Sequence, residues 1–536
     1  MVARVVCGDT PTSVLLCQVL GISEEEWQAL PEHLRRGVTR LWEENQRLRE
    51  QLGQTSRNSS RPPSSDPPAV PAREQKPTGR APGGQPGHAG QSRPLLPEEQ
   101  VDEIIQVRPK TCQGCGHAFP ETASDPRPLR HQVHELPRVV PRVTEYRIHT
   151  LRCLSCGREA TAPLPAGVSY GMLGPRAVAT IAACTGQHHL SKRATAAFLE
   201  DVCGLQVSEA TVTAAERTVS AALEVPVAEA REAVRQAPDK GIDETGWSQQ
   251  RDPDPVLCAL EPEESGELPA PRTPAECNPS SGTLVPGAVE EPVRLPKAWL
   301  WVGVCDLATV FLIRRSRGSK VAKELLGEKP VGSIGSDRWS AYGWLVALWH
   351  QLCWAHLTRD FQQISEREGA SGRLGSALLA QTQHLFSLWH RHRDGRLTWS
   401  EFQQQMVPIQ EAVGALLREG AALADAPGTG LAEQRTARTC RNLLAQEVSL
   451  WTFVRIQGVE PTNNRTEQAI RAAVLYRKVS FGTQCSEGSR YVERVLTAVA
   501  TCKQHRRNVL DYLEAAVSAA YRHERAPSLL PAVRAP

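Results

Sequence analysis

The 536-residue chain is 40% hydrophobic and 23% charged with a net charge of +3, values that exclude wholesale disorder and leave global charge silent about partners. No run reaches the ~18 apolar residues of a membrane span, and the opening stretch is broken by Gly8, Asp9 and Pro11. Neither a membrane protein nor a signal peptide is therefore expected, and the sequence predicts a cytoplasmic protein.

Charge is uneven along the chain. Residues 465–507 carry nine Lys/Arg against three Glu, and residues 248–296 carry nine acids against three Arg. Fifteen cysteines without a secretory signal argue against a disulfide framework.

Residues 24–53 read as one helix. Leu34, Val38, Leu41, Asn45, Leu48 and Leu52 step alternately by four and three, the seam of a short coiled coil within an N-terminal unit of residues 1–53. Residues 54–97 hold ten prolines and read as an extended linker. Cys112-Gln-Gly-Cys115 and Cys153-Leu-Ser-Cys156, each followed by Gly, then predict one structural Zn²⁺ in a zinc-ribbon domain of residues 98–165. A strand over Val139 to Arg152 leads into the second pair.

Residues 166–235 read as a helical, helix-turn-helix-like DNA-binding region. One helix covers Leu190 to Val202, Gly204 breaks it, and Ser208 caps the next. Lys192 and Arg193 open the first helix, and Thr211 and Thr213 lie early in the second, where base edges would be met.

From residue 236 strands appear. Gly241 to Thr245 ends a strand in carboxylates, Trp299 to Val304 and Thr309 to Ile313 form a hairpin, and Lys320 to Leu326 is a helix. Val331 to Ser336 runs into Asp337, a short strand reaches Cys353, and helices fill 360–455 before a final helix carries Glu467. This is the element order of a ribonuclease-H-like mixed sheet with a large helical insertion, spanning 236–485 and followed by a helical region at 486–536. The acidic, Pro-rich stretch 248–296 reads as a disordered insert. Asp243, Asp337 and Glu467 suit a site for two Mg²⁺ ions about 3.5–4 Å apart. Arg465, Arg471, Arg477 and Lys478 set cations beside a phosphate path.

These segments carry a resemblance. Asp243-Glu-Thr245, Asp337-Arg-Trp-Ser-Ala-Tyr342, Cys353-Trp-Ala-His356 with Arg359 and Phe361, Asn463-Asn-Arg-Thr-Glu467-Gln-Ala-Ile-Arg471 and Arg477-Lys-Val-Ser-Phe-Gly482 resemble DDE transposases of bacterial insertion sequences, of the IS66 type. Gly83 to His88, the cysteine pairs and the N-terminal helix extend it upstream. The resemblance implies Mg²⁺-dependent strand cleavage and transfer at an element's terminal inverted repeats. Its implied partners are double-stranded DNA (repeats and target), a further copy or copies of the chain, and accessory proteins of the element, in a bacterial cytoplasm at the nucleoid. Cys353 and His356 match a C-x-x-H signature and are expected to support the sheet. Gln468 departs from the basic residue usual after the Glu, and the 248–296 insert is long for the family. A DNA-binding repressor without catalysis and a ribonuclease-H-like nuclease are the alternatives.

Overall fold

The computed structural model describes residues 16–17, 19–55, 58–59, 93–120, 125, 128–169, 171–250, 297–425 and 429–531. Most of the expected linker, with Gly83 to His88, and the insert beyond Gln250 lie outside them.

The N-terminal stretch forms two helices where the sequence suggested one. A capping box of Ser23 and Glu26 opens α1 (Glu24–Ala29), and extended Leu30 before Pro31 ends it. Helix α2 (Glu32–Leu52) then presents Leu34, Leu41, Leu48 and Leu52 to solvent. The described residues between 98 and 165 are nearly all exposed and carry little regular secondary structure. The strand expected over Val139 to Arg152 shortens to β1 (Thr150–Arg152), paired antiparallel with β2 (Glu159–Thr161).

Helices α3 (Pro175–Ala182), α4 (Lys192–Cys203), α5 (Glu209–Ala222) and α6 (Glu224–Gln236) follow. The α4–α5 corner forms as the sequence suggests. Gly204 takes a left-handed φ of 64° to end α4, and the Ser208 hydroxyl accepts the Thr211 N–H at 3.1 Å to start α5.

Five strands make one mixed sheet: β3 (Asp239–Ser248), β4 (Lys297–Val304), β5 (Thr309–Arg314), β6 (Ser333–Ser336) and β7 (His350–Leu352), in the spatial order β5-β4-β3-β6-β7. The first three are antiparallel neighbours, while β6 lies parallel to β3 and β7 parallel to β6. Helix α7 (Ser319–Leu326) makes the crossover into β6. Helices α8 (Trp354–Ser365), α9 (Gly369–Arg393), α10 (Trp399–Ala422), α11 (Leu431–Leu444), α12 (Glu447–Leu450) and α13 (Thr452–Arg455) form the insertion. The chain returns through α14 (Asn464–Ser480), α15 (Ser486–Gln504) and α16 (Val509–Tyr521).

Among the described residues, two large apolar cores result, beside a small cluster around Trp27 at the N-terminal helices. Ile242, Trp301, Val302 and Phe311 of the sheet share one with Val178, Val212 and Val219 of the upstream helices and Val495 and Leu513 of the last two. The 175–235 helices thus pack as part of the sheet domain. Phe361, Leu378, Phe402, Met406 and Phe453 form the second core inside the insertion.

Helix α15 also covers the open side of β5. Glu493, Thr497 and Thr501, one turn apart, accept the backbone N–H groups of Ile313 (2.7 Å), Phe311 (3.0 Å) and Thr309 (3.2 Å). A helix face thereby satisfies donors that a sixth strand would otherwise take.

Beneath β6 and β7, buried His350 places Nε2 2.8 Å from Ser336 Oγ. Burial drives its pKa from 6.5 to about 4, so the folded state holds a neutral ring that the unfolded chain protonates more readily. Its contribution is present above pH ~6.5 and is lost as pH falls through about 4, a change of about 3 kcal/mol at ~1.4 kcal/mol per unit. Denaturant titrations of wild type and His350→Gln between pH 7 and 4 should show a flatter acid limb in the variant; parallel limbs would contradict this assignment.

Candidate active site

Gly241 decides how closely α14 approaches the sheet. A Cβ there would stand 2.0 Å from Thr466 Oγ1 and 2.4 Å from Asn463 Oδ1, so only glycine lets the start of α14 rest on β3. Asn463 then fixes the helix. Its Nδ2 donates to Ile242 O (2.9 Å), and its backbone N–H donates to Cys353 Sγ (3.2 Å). Glu467, one turn on, is carried toward Asp243, which lies on the same face of β3 as Gly241. Asp337 arrives from the end of β6, its Oδ1 accepting the Trp339 N–H at 2.9 Å.

Electrostatics report the convergence. Removal from water raises the Asp243 pKa well above the carboxylate range, and the charges of Glu244, Asp337 and Glu467 raise it further. The charges of Asp337 and Glu467, carried by two other elements, thus both reach Asp243, although the three carboxylates do not lie within 4.8 Å of one another. Beside Glu467, His356 Nδ1 lies 3.4 Å from Oε1, Arg359 lies 3.7 Å from Oε2, and Cys353 Sγ lies 4.0 Å from Oε1.

A further set of contacts surrounds Glu244. Glu244 points to the opposite face of β3 and is buried; Arg317 Nε donates to its Oε1 at 2.8 Å, and the Tyr342 hydroxyl makes a short hydrogen bond to Oε2. The Arg317 guanidinium lies 4.5 Å from the Trp299 ring and 3.8 Å from the Trp339 ring, and Trp339 Nε1 donates to Arg317 O (3.1 Å). Arg338 pairs with Asp360 on α8. Within Asp337 to Tyr342, Asp337, Arg338, Trp339 and Tyr342 thus each have a defined partner. The sequence reading singled out neither Glu244 nor Arg317 as a functional residue. Tyr342 and Trp339 were signals in the quoted motif, whereas Arg317 sits in a turn with no periodic mark.

The cationic candidates divide. Arg471 and Lys478 are exposed and make no ion pair with described residues. Arg465 is bound to Asp306 and lies 3.7 Å from Asp239, and the Arg477 guanidinium is tied to Gly246 O of β3. In the α4–α5 corner, Lys192 Nζ donates to Thr213 Oγ1 (2.8 Å) and pairs with Glu216 (3.3 Å). Arg193 pairs with Glu209 (3.1 Å), and Thr211 Oγ1 lies 2.9 Å from Ser208 Oγ. All four corner residues are engaged inside the chain.

Both cysteine pairs form the same tight knuckle. The Cys112 N–H donates to His117 O and the Cys153 N–H to Arg158 O, both at 2.8 Å. Gly116 and Gly157 complete the turns at φ 73° and 72°. Backbone N–H groups of Gly114 and Cys115 lower the Cys112 pKa, and those of Cys156 and Ser155 lower that of Cys153. The four thiols do not gather as one group. Among the described residues, the set of three or more His, Cys, Asp or Glu ligand atoms lying within 4.8 Å of one another is Cys353, His356 and Glu467.

Residues 285–491 match the family model described as transposase IS66 family. That stretch is similar to IS66-type transposases. Residues 17–94 match a family of unknown function (DUF6444), and no curated protein matches the chain. The IS66 match takes in Asp337, Cys353, His356 and Glu467 but begins downstream of Asp243, so the first acid stands on its geometry alone. No helix among the described residues is long and apolar enough to cross a membrane.

Proposed function

We propose that the chain is an IS66-type DDE transposase that binds the terminal inverted repeats of its element and cleaves and transfers DNA strands. Asp243, Asp337 and Glu467 are its catalytic carboxylates. The observation that carries the reading is that the charges of Asp337 and Glu467 both act on Asp243 within a sheet of order β5-β4-β3-β6-β7, which we read as ribonuclease-H-like. The three carboxyl groups would give an oxygen-only donor set that fits Mg²⁺, and a bound cation would favour ionised Asp243. When bound, Mg²⁺ supplies charge stabilisation for an in-line displacement at phosphorus. The chain's own part is positional: Asn463 and Gly241 seat Glu467, the Trp339 N–H orients Asp337, and Arg317 with Tyr342 neutralises Glu244.

The knuckle thiols fit Zn²⁺, their backbone N–H groups favouring thiolate, and we assign Cys112, Cys115, Cys153 and Cys156 one structural ion that draws the two knuckles together. The exposed leucines of α2 are assigned to pairing with a second copy as a coiled coil. Specific recognition of DNA ends is placed N-terminal to residue 236, the α4–α5 corner included.

The test is cleavage of DNA carrying the element's ends by the purified full chain. Mg²⁺ should support it and Ca²⁺ should support binding alone; equal cleavage in a chelator would overturn the reading. A second expectation concerns the exposed cations. Arg471→Ala with Lys478→Ala should weaken binding equally on all sequences and lower the slope of log K against log salt by about 2. A change confined to terminal-repeat DNA would assign these residues to base readout.

A further inference from the structure

We propose that Cys353, His356 and Glu467 form a binding site for a borderline-soft divalent ion of the Zn²⁺ class, and that an ion held there withdraws Glu467 from the carboxylate set. The second half rests on the catalytic reading of Glu467; the first does not.

Geometry comes first. A tetrahedral ion with bonds of ~2.3 Å to sulfur and ~2.0–2.1 Å to nitrogen and oxygen sets a nitrogen–oxygen edge of roughly 3.3 Å and a sulfur–oxygen edge of roughly 3.5 Å. The His356 Nδ1 to Glu467 Oε1 distance is 3.4 Å, and Cys353 Sγ to the same oxygen is 4.0 Å. The nitrogen–oxygen edge is already formed, and closing the sulfur takes a shift of about half an ångström.

The donors also lack a better use. His356 Nδ1 is buried and makes no hydrogen bond, although a carboxylate oxygen lies beside it. An orphaned buried ring nitrogen is costly, and a cation between it and the carboxylate removes that cost. The set of sulfur, nitrogen and oxygen suits Zn²⁺ or Co²⁺ and is foreign to Mg²⁺.

The scaffold holds the ligands apart from any DNA. Cys353 caps α8 and His356 sits in its first turn, so one helix start fixes both. Glu467 lies in the first turn of α14, and the Asn463 N–H to Cys353 Sγ bond ties the two helix starts together. Binding releases the thiol proton to water as the metal–sulfur bond forms. A fourth position stays open for water. With Oε1 taken by the ion, that oxygen of Glu467 is no longer free for the catalytic carboxylate set.

The probe is Co²⁺, titrated without DNA into the full chain and into Cys353→Ser and His356→Asn. Difference spectra isolate this site, because all three proteins share Cys112, Cys115, Cys153 and Cys156. Wild type should show thiolate-to-cobalt absorption from about one further ion per chain. Cys353→Ser should lose it, and His356→Asn should bind at least tenfold more weakly. Identical titrations for wild type and both variants would overturn the site, as would a wild type with no absorption beyond that of the knuckles. Zn²⁺ should then inhibit Mg²⁺-dependent cleavage, with the midpoint at least tenfold higher in His356→Asn. Binding by wild type without inhibition would leave the site standing and remove Glu467 from the catalytic set.

Discussion

Asp337→Asn should cut strand cleavage by about a thousandfold or more, about 4 kcal/mol of transition-state stabilisation, while binding to element ends persists. The carboxamide keeps the size of the side chain, and its Oδ1 can go on accepting the Trp339 N–H that now lies 2.9 Å away. Folding has little reason to change. Charge does change: Asp337 raises the pKa of Asp243, Glu244 and Asp360, so its removal makes the neighbouring acids easier to ionise. It also takes away a ligand that a cation needs and relieves repulsion against a phosphate, so end binding should hold steady or strengthen. Gel-shift affinity and Mg²⁺-dependent cleavage, measured on one preparation, separate these effects. Cleavage at the wild-type rate would remove Asp337 from the site.

Gly241→Ala should harm both stability and chemistry without touching a carboxylate. The new methyl would lie 2.0 Å from Thr466 Oγ1 and 2.4 Å from Asn463 Oδ1, and neither neighbour can step aside cheaply. Thr466 is fully buried, and Asn463 is held on Ile242 and Cys353. The start of α14 must therefore lift from β3, an overpacking that costs about 1–3 kcal/mol. Glu467 moves with it. A misplacement of about 1 Å in reacting groups costs roughly a hundredfold in rate, so cleavage should fall by that order while DNA affinity is retained. Thermal unfolding and cleavage together check this, and a variant with wild-type values in both would mean that α14 does not rest on Gly241.

The sheet was legible because β4, β5 and β6 are short runs that local pattern reveals, and Asp337 follows β6 as expected; Asp243, however, lies in the middle of β3 (Asp239–Ser248), not at the strand end that the sequence suggested. Asn463 and Glu467 were legible as a helix start from local pattern too. The support of Glu244 was not, since its partners Arg317 and Tyr342 stand 73 and 98 residues away. Nor could residue type reveal that Lys192 and Arg193 are claimed by Glu216 and Glu209. The N-terminal helix shows the opposite error. Pro31 marked a boundary in plain sight, and the reading of 24–53 as one helix ran through it, whereas the heptad residues Leu34 to Leu52 all fall within α2. For the cysteines, the knuckles follow from C-x-x-C-Gly, but their meeting depends on chain between them that no local pattern specifies.

The helical cover over β5 has a consequence in time. Glu493, which takes the Ile313 N–H, lies 180 residues downstream of it, and Thr501 lies 192 residues beyond Thr309. At about 5–20 residues per second, a ribosome spends roughly 10–35 s between completing the strand and delivering its cap. Throughout that interval the nascent sheet offers a row of free donors to any extended segment nearby, including the same strand on a neighbouring nascent chain. A message truncated between residues 468 and 485 would make the exposure permanent, so such early termination should yield insoluble protein even though every proposed catalytic acid has already been made.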